Sequence, residues 1–200
     1  MDKNKKHTVM KSSTILSLML LLAITTSCTG NGEKKSNDLA NQEITLEKKN
    51  VNVGINIGDR APDMEYPSPE GQLLKLSSLR GKMVLIDFWA AWCPPCRAEN
   101  PNLVRTYQKY KDSHFKNGKG FTIYSVSLDR SKDQWIQAIE KDNLDWKYHV
   151  SDLKYWQSVP AAMYQVRGIP ANFLLNGDGI IIAKNLRDEA LPSKLEELKK

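Results

Sequence analysis

Short apolar runs alternate with stretches of helical spacing in the second half of the chain. The run at residues 83–89 is apolar apart from one acid and predicts a buried central strand, and residues 121–128 predict a second strand. Between them, apolar residues recur at helical spacing and predict a helix over about residues 95–111, kinked at Pro101. This region therefore has the order strand, helix, strand.

The remaining pattern adds further helices and a hairpin. Ser131 is placed to cap a helix, residues 146–150 predict a strand and residues 160–165 predict a short helix. Residues 172–183 contain two apolar runs separated by Asn-Gly-Asp-Gly, which is typical of a β-hairpin. A last helix covers about residues 191–198. Together these elements predict an α/β sandwich with a mixed central sheet flanked by helices.

The first 27 residues have the pattern of a secretory signal peptide. A lysine-rich start leads into an apolar run at residues 15–24 and then into the small residues Thr25-Thr26-Ser27. A helix needs about 20 apolar residues to span a bilayer, so this run is too short for a lasting transmembrane anchor. We expect the chain to be exported.

Cys28 directly follows this signal, in a setting that resembles the lipobox of bacterial lipoproteins. The resemblance implies cleavage before Cys28, acylation of that residue and a protein that is lipid-anchored to a membrane of the cell envelope or periplasm. Thr25 stands where leucine is commonest in that motif. The alternative is cleavage nearby, with Cys28 left as a free thiol.

Residues 28–56 are polar and charged, and they predict a flexible tether. Weak alternation at residues 44–46 and 51–57 can supply a first strand to the domain that follows. That domain is expected to cover residues 57–200, so the chain consists of a signal, an N-terminal extension and one folded domain.

The net charge of +6 does not indicate a nucleic-acid-binding protein. Four lysines and one aspartate in residues 1–27 account for half of it, and the rest of the chain has 25 basic and 22 acidic side chains. No basic stripe with interleaved aromatic residues is present. We therefore expect no nucleic-acid partner.

Cys93 and Cys96 form a C-x-x-C pair where the predicted strand meets the predicted helix. A bridge between them closes a very small ring and adds little stability, so the pair indicates redox chemistry. The free N–H groups and the positive end of the helix favour a thiolate at Cys93, which is expected to be accessible, whereas Cys96 is expected to face inward. Cys93 would attack a partner's disulfide and Cys96 would resolve the mixed disulfide.

The string FWAAWCPPC at residues 88–96 resembles the active-site motif of the TlpA/ResA family of thioredoxin-like envelope proteins. The similarity also includes residues 57–62, 79–82 and 164–170, and it covers about three-quarters of the chain. The resemblance implies a thioredoxin-like domain of the AhpC/TSA-redoxin type.

The resemblance also implies roles for residues around the cysteines. Ile169-Pro170 matches the family's cis-proline, which lies beside the cysteines and faces the partner peptide; the alternative is an ordinary trans loop. Trp92 is expected to form part of the partner groove. Pro94 and Pro95 lie between the cysteines, and a proline there suits the start of a helix.

Two acids are candidates for supporting the thiols. Glu99 matches a carboxylate that related proteins place near the active site, where it can tune the thiols and relay a proton; the alternative is a solvated residue favoured by the helix dipole. Asp87 lies within the apolar run and matches the buried acid of thioredoxin. Burial would raise its pKa and make it a candidate general base for Cys96; the alternative is an acid facing water.

The implied function is that of a thiol-disulfide oxidoreductase acting on envelope proteins with thiols or disulfides. An upstream membrane thiol would donate electrons, and the redox-active disulfide Cys93–Cys96 would need no other cofactor or metal. The resemblance favours a reductant, as in cytochrome c maturation or general thiol maintenance, over a disulfide oxidase or isomerase.

Two other functions compete for the same cysteines. A peroxiredoxin-like peroxidase has P-x-x-x-[ST]-x-x-C before its reactive cysteine, but Ile86 and Ala90 occupy those positions before Cys93. A non-enzymatic copper carrier needs few ligands, yet His114 and His149 are isolated in the sequence. Metal titration of the reduced protein, with a Cys93→Ser control, separates a carrier from an oxidoreductase.

Overall fold

The apolar runs become the middle strands of a mixed sheet in the computed structural model, which describes residues 51–200. In chain order the strands are Glu65–Pro67 (β1), Leu73–Lys75 (β2), Met83–Trp89 (β3), His114–Phe115 (β4), Gly118–Lys119 (β5), Phe121–Ser127 (β6), Tyr148–Ser151 (β7), Ala171–Leu175 (β8) and Ile181–Lys184 (β9). The central sheet has the order β7-β6-β3-β8-β9, with β3 parallel to β6 and antiparallel to β8. Every residue of β3 and β6 is buried, as expected for the middle of such a sheet.

Serine or proline residues mark the start of three of the four α-helices in the described region. The α-helices of the described region are Pro94–Tyr110 (α1), Lys132–Lys141 (α2), Val159–Met163 (α3) and Ala190–Leu198 (α4), and two 3₁₀ helices lie at Leu76–Leu79 and Tyr155–Gln157. The first turns of α1 and α3 contain proline, and Ser131 and Ser158 cap α2 and α3. Helix α1 is continuous through Pro101. The predicted α/β sandwich with a mixed sheet is confirmed.

One predicted strand is wrong. Residues 51–57 form no strand, and Val53 makes a single isolated bridge with Arg60. Gly58 has φ +96°, so the chain turns here, and the side chains of Val53 and Ile57 are exposed. The alternation at residues 44–46 lies outside the described residues. In its place, the antiparallel pair β1–β2 precedes the central sheet.

The sheet register brings two distant segments together at one end of β3. Because β8 runs antiparallel to β3, Phe88 pairs with Ala171, and the residues just before β8 lie beside the start of α1. The rings of Phe88, Tyr164 and Phe173 pack together beneath this junction, with centroids 5.1–6.2 Å apart. The junction is where the predicted site residues meet.

Within residues 51–200, no helix is both long enough and apolar enough to cross a membrane. The predicted signal, Cys28 and most of the predicted tether lie outside the described residues. Residues 51–56 contact the domain, since Lys184 donates a hydrogen bond to the carbonyl of Ile55 over 3.1 Å.

Candidate active site

Cys93 and Cys96 form a disulfide at the N-terminus of α1, with their Cα atoms 5.3 Å apart. Cys93 is the N-cap, and its Sγ accepts a hydrogen bond from the backbone N–H of Cys96 over 3.2 Å. The predicted position at the free donors of a helix is therefore confirmed. These donors and the positive helix end stabilise negative charge on the Cys93 sulfur when the bridge is open.

The prediction that Cys93 is accessible is wrong for the bridged form. Cys93 is 3% exposed and Cys96 is 1% exposed. The bond to Cys96 turns the Cys93 sulfur toward the protein, where it lies 3.8 Å from the carbonyl oxygen of Ile169. A thiol can therefore attack this disulfide only after the residues that cover Cys93 have moved.

The peptide bond between Ile169 and Pro170 is cis, as predicted. Arg187 was not predicted as a site residue, yet its guanidinium donates one hydrogen bond to the carbonyl of Pro170 and another, of 2.8 Å, to that of Leu186. The loop next to the disulfide is thus fixed from the segment after β9. Sequence spacing gives no sign of this link.

Asp87 lies in the middle of the central sheet and is 4% exposed, so the alternative of an acid facing water is excluded. Burial raises the pKa of Asp87 to about 7; the charge of Arg187 opposes this rise and that of Glu99 adds to it. Glu99 lies in the turn of α1 after Cys96, and its charge acts on the buried Asp87 carboxyl. A carboxyl that titrates near neutral pH can accept and return a proton there.

Glu99 is also buried, at 9% exposure, which excludes the alternative of a solvated residue. Its Oε1 accepts hydrogen bonds from the Asn102 side chain over 2.8 Å and from the backbone N–H of Asp188 over 3.1 Å. The structure thus places Asp87 and Glu99 in one buried region beside α1.

Trp92 presents an aromatic surface next to the disulfide. It is 39% exposed, and its Nε1 donates a hydrogen bond to the carbonyl of Leu128 over 3.3 Å. Its ring centroid lies 4.9 Å from that of Tyr155 and 6.1 Å from that of Trp156. These three rings, the aromatic patch, form the surface on one side of the cysteines.

Asp129 holds the loop that carries Trp92 and Cys93 but was not predicted. It is buried, and its carboxylate accepts hydrogen bonds from the backbone N–H of Ala91 over 3.0 and 3.2 Å and from Ser127 Oγ over 2.8 Å. A signal for it was present, because an acid that follows β6 lies at the same sheet edge as the end of the parallel strand β3. The same loop is held again where Arg97 donates to the carbonyl of Ala91 over 3.2 Å.

The two histidines considered for the alternative of a copper carrier occupy different parts of the domain. His149 is buried in β7, where burial lowers its pKa to about 4 and its ring stacks on Trp146. His114 is exposed in β4. Among residues 51–200, no three histidine, cysteine, aspartate or glutamate side chains come together as a metal site.

A bridged C-x-x-C pair at a helix N-terminus, beside a cis-proline and after a strand that contains a buried acid, defines the class of thioredoxin-like disulfide proteins. The chain belongs to the AhpC/TSA family, whose model matches residues 57–184.

Named relatives agree with this class. The chain is 31% identical over 143 residues to the thiol-disulfide oxidoreductase ResA of Bacillus thuringiensis subsp. konkukian, a match that covers 72% of this chain and 76% of that protein. The thioredoxin domain of a thiol-disulfide oxidoreductase from Bacteroides vulgatus is 36% identical, with a TM-score of 0.64 and coverage of 72% and 98%. A thiol-disulfide oxidoreductase from Bacteroides fragilis is 36% identical, with a TM-score of 0.62 and coverage of 70% and 98%. The protein is a protein-disulfide oxidoreductase with a thioredoxin-like fold.

Proposed function

We propose that Cys93 and Cys96 of the WCPPC motif carry the reaction, and that the protein reduces disulfides of partner proteins in the cell envelope. The observation that supports this most is the disulfide itself, placed at a helix N-terminus with Cys93 Sγ 3.8 Å from the loop of the cis-proline. A ring this small stabilises the fold little, so exchange is its best use.

The reaction starts from the dithiol. The Cys93 thiolate attacks one sulfur of the partner's disulfide, forms a mixed disulfide and expels the first partner thiolate, which takes up a proton. Cys96 then gives up its proton, attacks Cys93 Sγ and expels the second partner thiolate. Two electrons pass to the partner, and the Cys93–Cys96 bridge remains. A thiol donor attached to the membrane returns the bridge to the dithiol.

Asp87 is the proposed proton acceptor for Cys96. Its pKa of about 7 leaves a large ionised fraction at neutral pH, and its burial keeps the exchanged proton away from bulk water. Glu99 adds negative charge beside it, which raises the pKa of Asp87 further. The two acids would therefore set the rate of resolution rather than the first attack.

Burial of Cys93 in the bridged form shapes the first step. Opening the S–S bond frees the Cys93 side chain to rotate about its Cα–Cβ bond toward the partner. Residues on both sides, Trp92 and Pro170, then form the walls against which a partner peptide lies.

The envelope location rests on the sequence pattern of residues 1–28. An acylated Cys28 and a polar tether would hold the domain near the membrane and its electron donor. In a Cys28→Ser variant, we expect the protein to move from the membrane fraction to the soluble envelope fraction. Retention of that variant in the membrane fraction would contradict the lipid anchor.

Single-turnover reduction of a disulfide peptide by the pre-reduced full chain tests the catalytic assignment. We expect Cys93→Ser to abolish the reaction and Cys96→Ser to form the mixed disulfide without releasing it. In the pre-reduced wild type, a thiol-alkylating reagent should label Cys93 well before Cys96. Equal activity of Cys93→Ser and wild type would exclude the mechanism.

A further inference from the structure

The loop of the cis-proline also lines a cleft. This cleft has a volume of about 490 Å³, and Tyr164, Pro170 and Phe173 form part of its wall. Ile169 contacts the Cys93 sulfur, and the next residue, Pro170, lines the cleft. The cleft therefore lies close to the reacting sulfur.

Three cations line this cleft and no acid does. Arg167 is exposed at its rim, while Lys184 and Arg187 are half-buried. Within residues 51–200, none of the three forms an ion pair within 4.0 Å. The cleft therefore holds three cations without an ion-pair partner in the described protein, although the charge of Arg187 also acts on the buried Asp87.

The partners of the half-buried cations are backbone carbonyls. Lys184 Nζ donates to the carbonyl of Ile55 over 3.1 Å and lies 5.9 Å from the ring centroid of Phe173. Arg187 donates to the carbonyls of Pro170 and Leu186. Carbonyls position these groups without cancelling their charge, so the cleft is prepared for an anion.

We propose that this cleft binds an acidic segment of the client polypeptide, with aspartate or glutamate a few residues from the cysteine under exchange. The inference rests on the proposed function and specifies its clients. An extended chain advances about 3.3 Å per residue, so a client held at Cys93 and crossing Ile169-Pro170 reaches the cleft within a few residues. The site is a concavity beside the sulfur rather than a flat face, which suits a polypeptide better than a membrane surface.

Two peptides that differ only in the residues flanking one cysteine test this proposal. Each carries one cysteine in a mixed disulfide with a chromogenic thiol, and the flanking positions are glutamate in one peptide and glutamine in the other. The full chain, with Cys28→Ser so that Cys93 and Cys96 alone react, is reduced and assayed for chromophore release at low ionic strength. We expect kcat/KM about tenfold higher for the glutamate peptide, and a smaller difference as salt is added.

Variants of the cleft's cations test whether the cleft causes the preference for the glutamate peptide. In Arg167→Gln/Lys184→Gln, the two peptides should react within about twofold of one another, and Arg167→Gln alone should lose part of the preference. Lys147→Gln is the matched control, because this exposed lysine precedes β7 at the opposite edge of the sheet and should leave the preference unchanged.

Four results would overturn the proposal. Equal rates for the two peptides in wild type, or a preference that survives in the double variant, would remove the cleft's role and leave the exchange reaction standing. Failure of wild type to react with either peptide would remove the proposed function as well. Binding to vesicles of anionic phospholipid that the double variant loses, without any peptide preference, would assign these cations to lipid headgroups.

Discussion

Burial of Asp87 lowers the stability of the fold when the carboxyl is ionised, yet the proposed proton transfer needs that ionised form. A carboxyl in the middle of a sheet loses its hydration, and the protein accommodates it by keeping it protonated up to a pKa of about 7. Its folded pKa thus lies above its unfolded value. The protonated Asp87 carboxyl therefore contributes stability that is fully present below about pH 4 and is lost as the pH rises through 7.

Replacing Asp87 with asparagine should therefore stabilise the bridged protein at alkaline pH. We expect the free energy of unfolding of Asp87→Asn to exceed that of wild type by up to about 4 kcal/mol at pH 8, and to approach it near pH 4. Urea unfolding of both proteins at the two pH values measures the difference. The exposed Asp178→Asn should change stability by less than about 0.5 kcal/mol at either pH.

The same variant should slow catalysis if Asp87 takes the Cys96 proton. We expect Asp87→Asn to release the partner from the mixed disulfide about 10²-fold more slowly at pH 7, with the first attack by Cys93 nearly unchanged. Stopped-flow measurement of the two phases separates these steps. An unaltered second phase, or a stability difference that does not vary with pH, would rule out this role for the acid.

The sequence predicts site residues that are close to the cysteines along the chain, and it misses contacts from residues that are far away in sequence. An acid inside an apolar run and a glutamate three positions after Cys96 are visible in the string itself. Arg187 is not, because its contact with Pro170 depends on how the segment after β9 returns to the loop. The accessibility of Cys93 was misjudged for a similar reason, since Ile169 comes to it from 76 positions away.

The β3–α1 loop is the element that aims the disulfide, and its anchor is Asp129 from the end of β6. Asp129→Ala leaves the Ala91 N–H without its partner, so we expect a loss of about 1–3 kcal/mol of stability and a several-fold lower kcat/KM. Urea unfolding and peptide reduction measure these two effects.

Ser131→Ala is the matched control for that variant. It removes the N-cap of α2, whose Oγ accepts a hydrogen bond of 3.3 Å from the Gln134 N–H, and should lower stability by about 1 kcal/mol. Its kcat/KM should stay at the wild-type level, because this cap does not touch the loop. An equal loss of activity in both variants would mean that global stability, and not the loop anchor, controls the rate.

At the element scale, long periodic segments are predictable and short ones are not. Strands β3 and β6 and helix α1 are found within a few residues of their predicted positions, because apolar spacing and prolines define them. Strands β4 and β5 have two residues each, too few for any period to be recognised. Asp129 was missed because pairing of β3 with β6 has to be known before its neighbours can be named.

The molecule as a whole is expected to be a reductant, and its reduction potential tests that direction. We expect the Cys93–Cys96 couple to lie below about −200 mV, nearer to thioredoxin at about −270 mV than to strong oxidants at about −120 mV. Equilibration with glutathione buffers of known potential, read out by alkylation, gives the value. A potential near −120 mV would contradict a reducing role.

At this scale the sequence predicts the fold class because alternation of strands and helices leaves few topologies. The order β7-β6-β3-β8-β9 combines the parallel pairs β3–β6 and β6–β7 with the closing hairpin β8–β9, which joins the sheet beside β3. Position in the cell stays a prediction, because residues 1–28 lie outside the described part of the chain.

Trapping the exchange intermediate shows whether Cys93 and Cys96 exchange disulfides with partner proteins. The Cys96→Ala variant of the full chain, isolated from cells without reductant, should carry partner proteins in mixed disulfides on Cys93, and mass spectrometry should locate each bond there. A Cys93→Ala variant should trap none at that position. Absence of mixed disulfides in Cys96→Ala, together with a Cys93 thiol that resists alkylation at neutral pH, would contradict disulfide exchange by this pair.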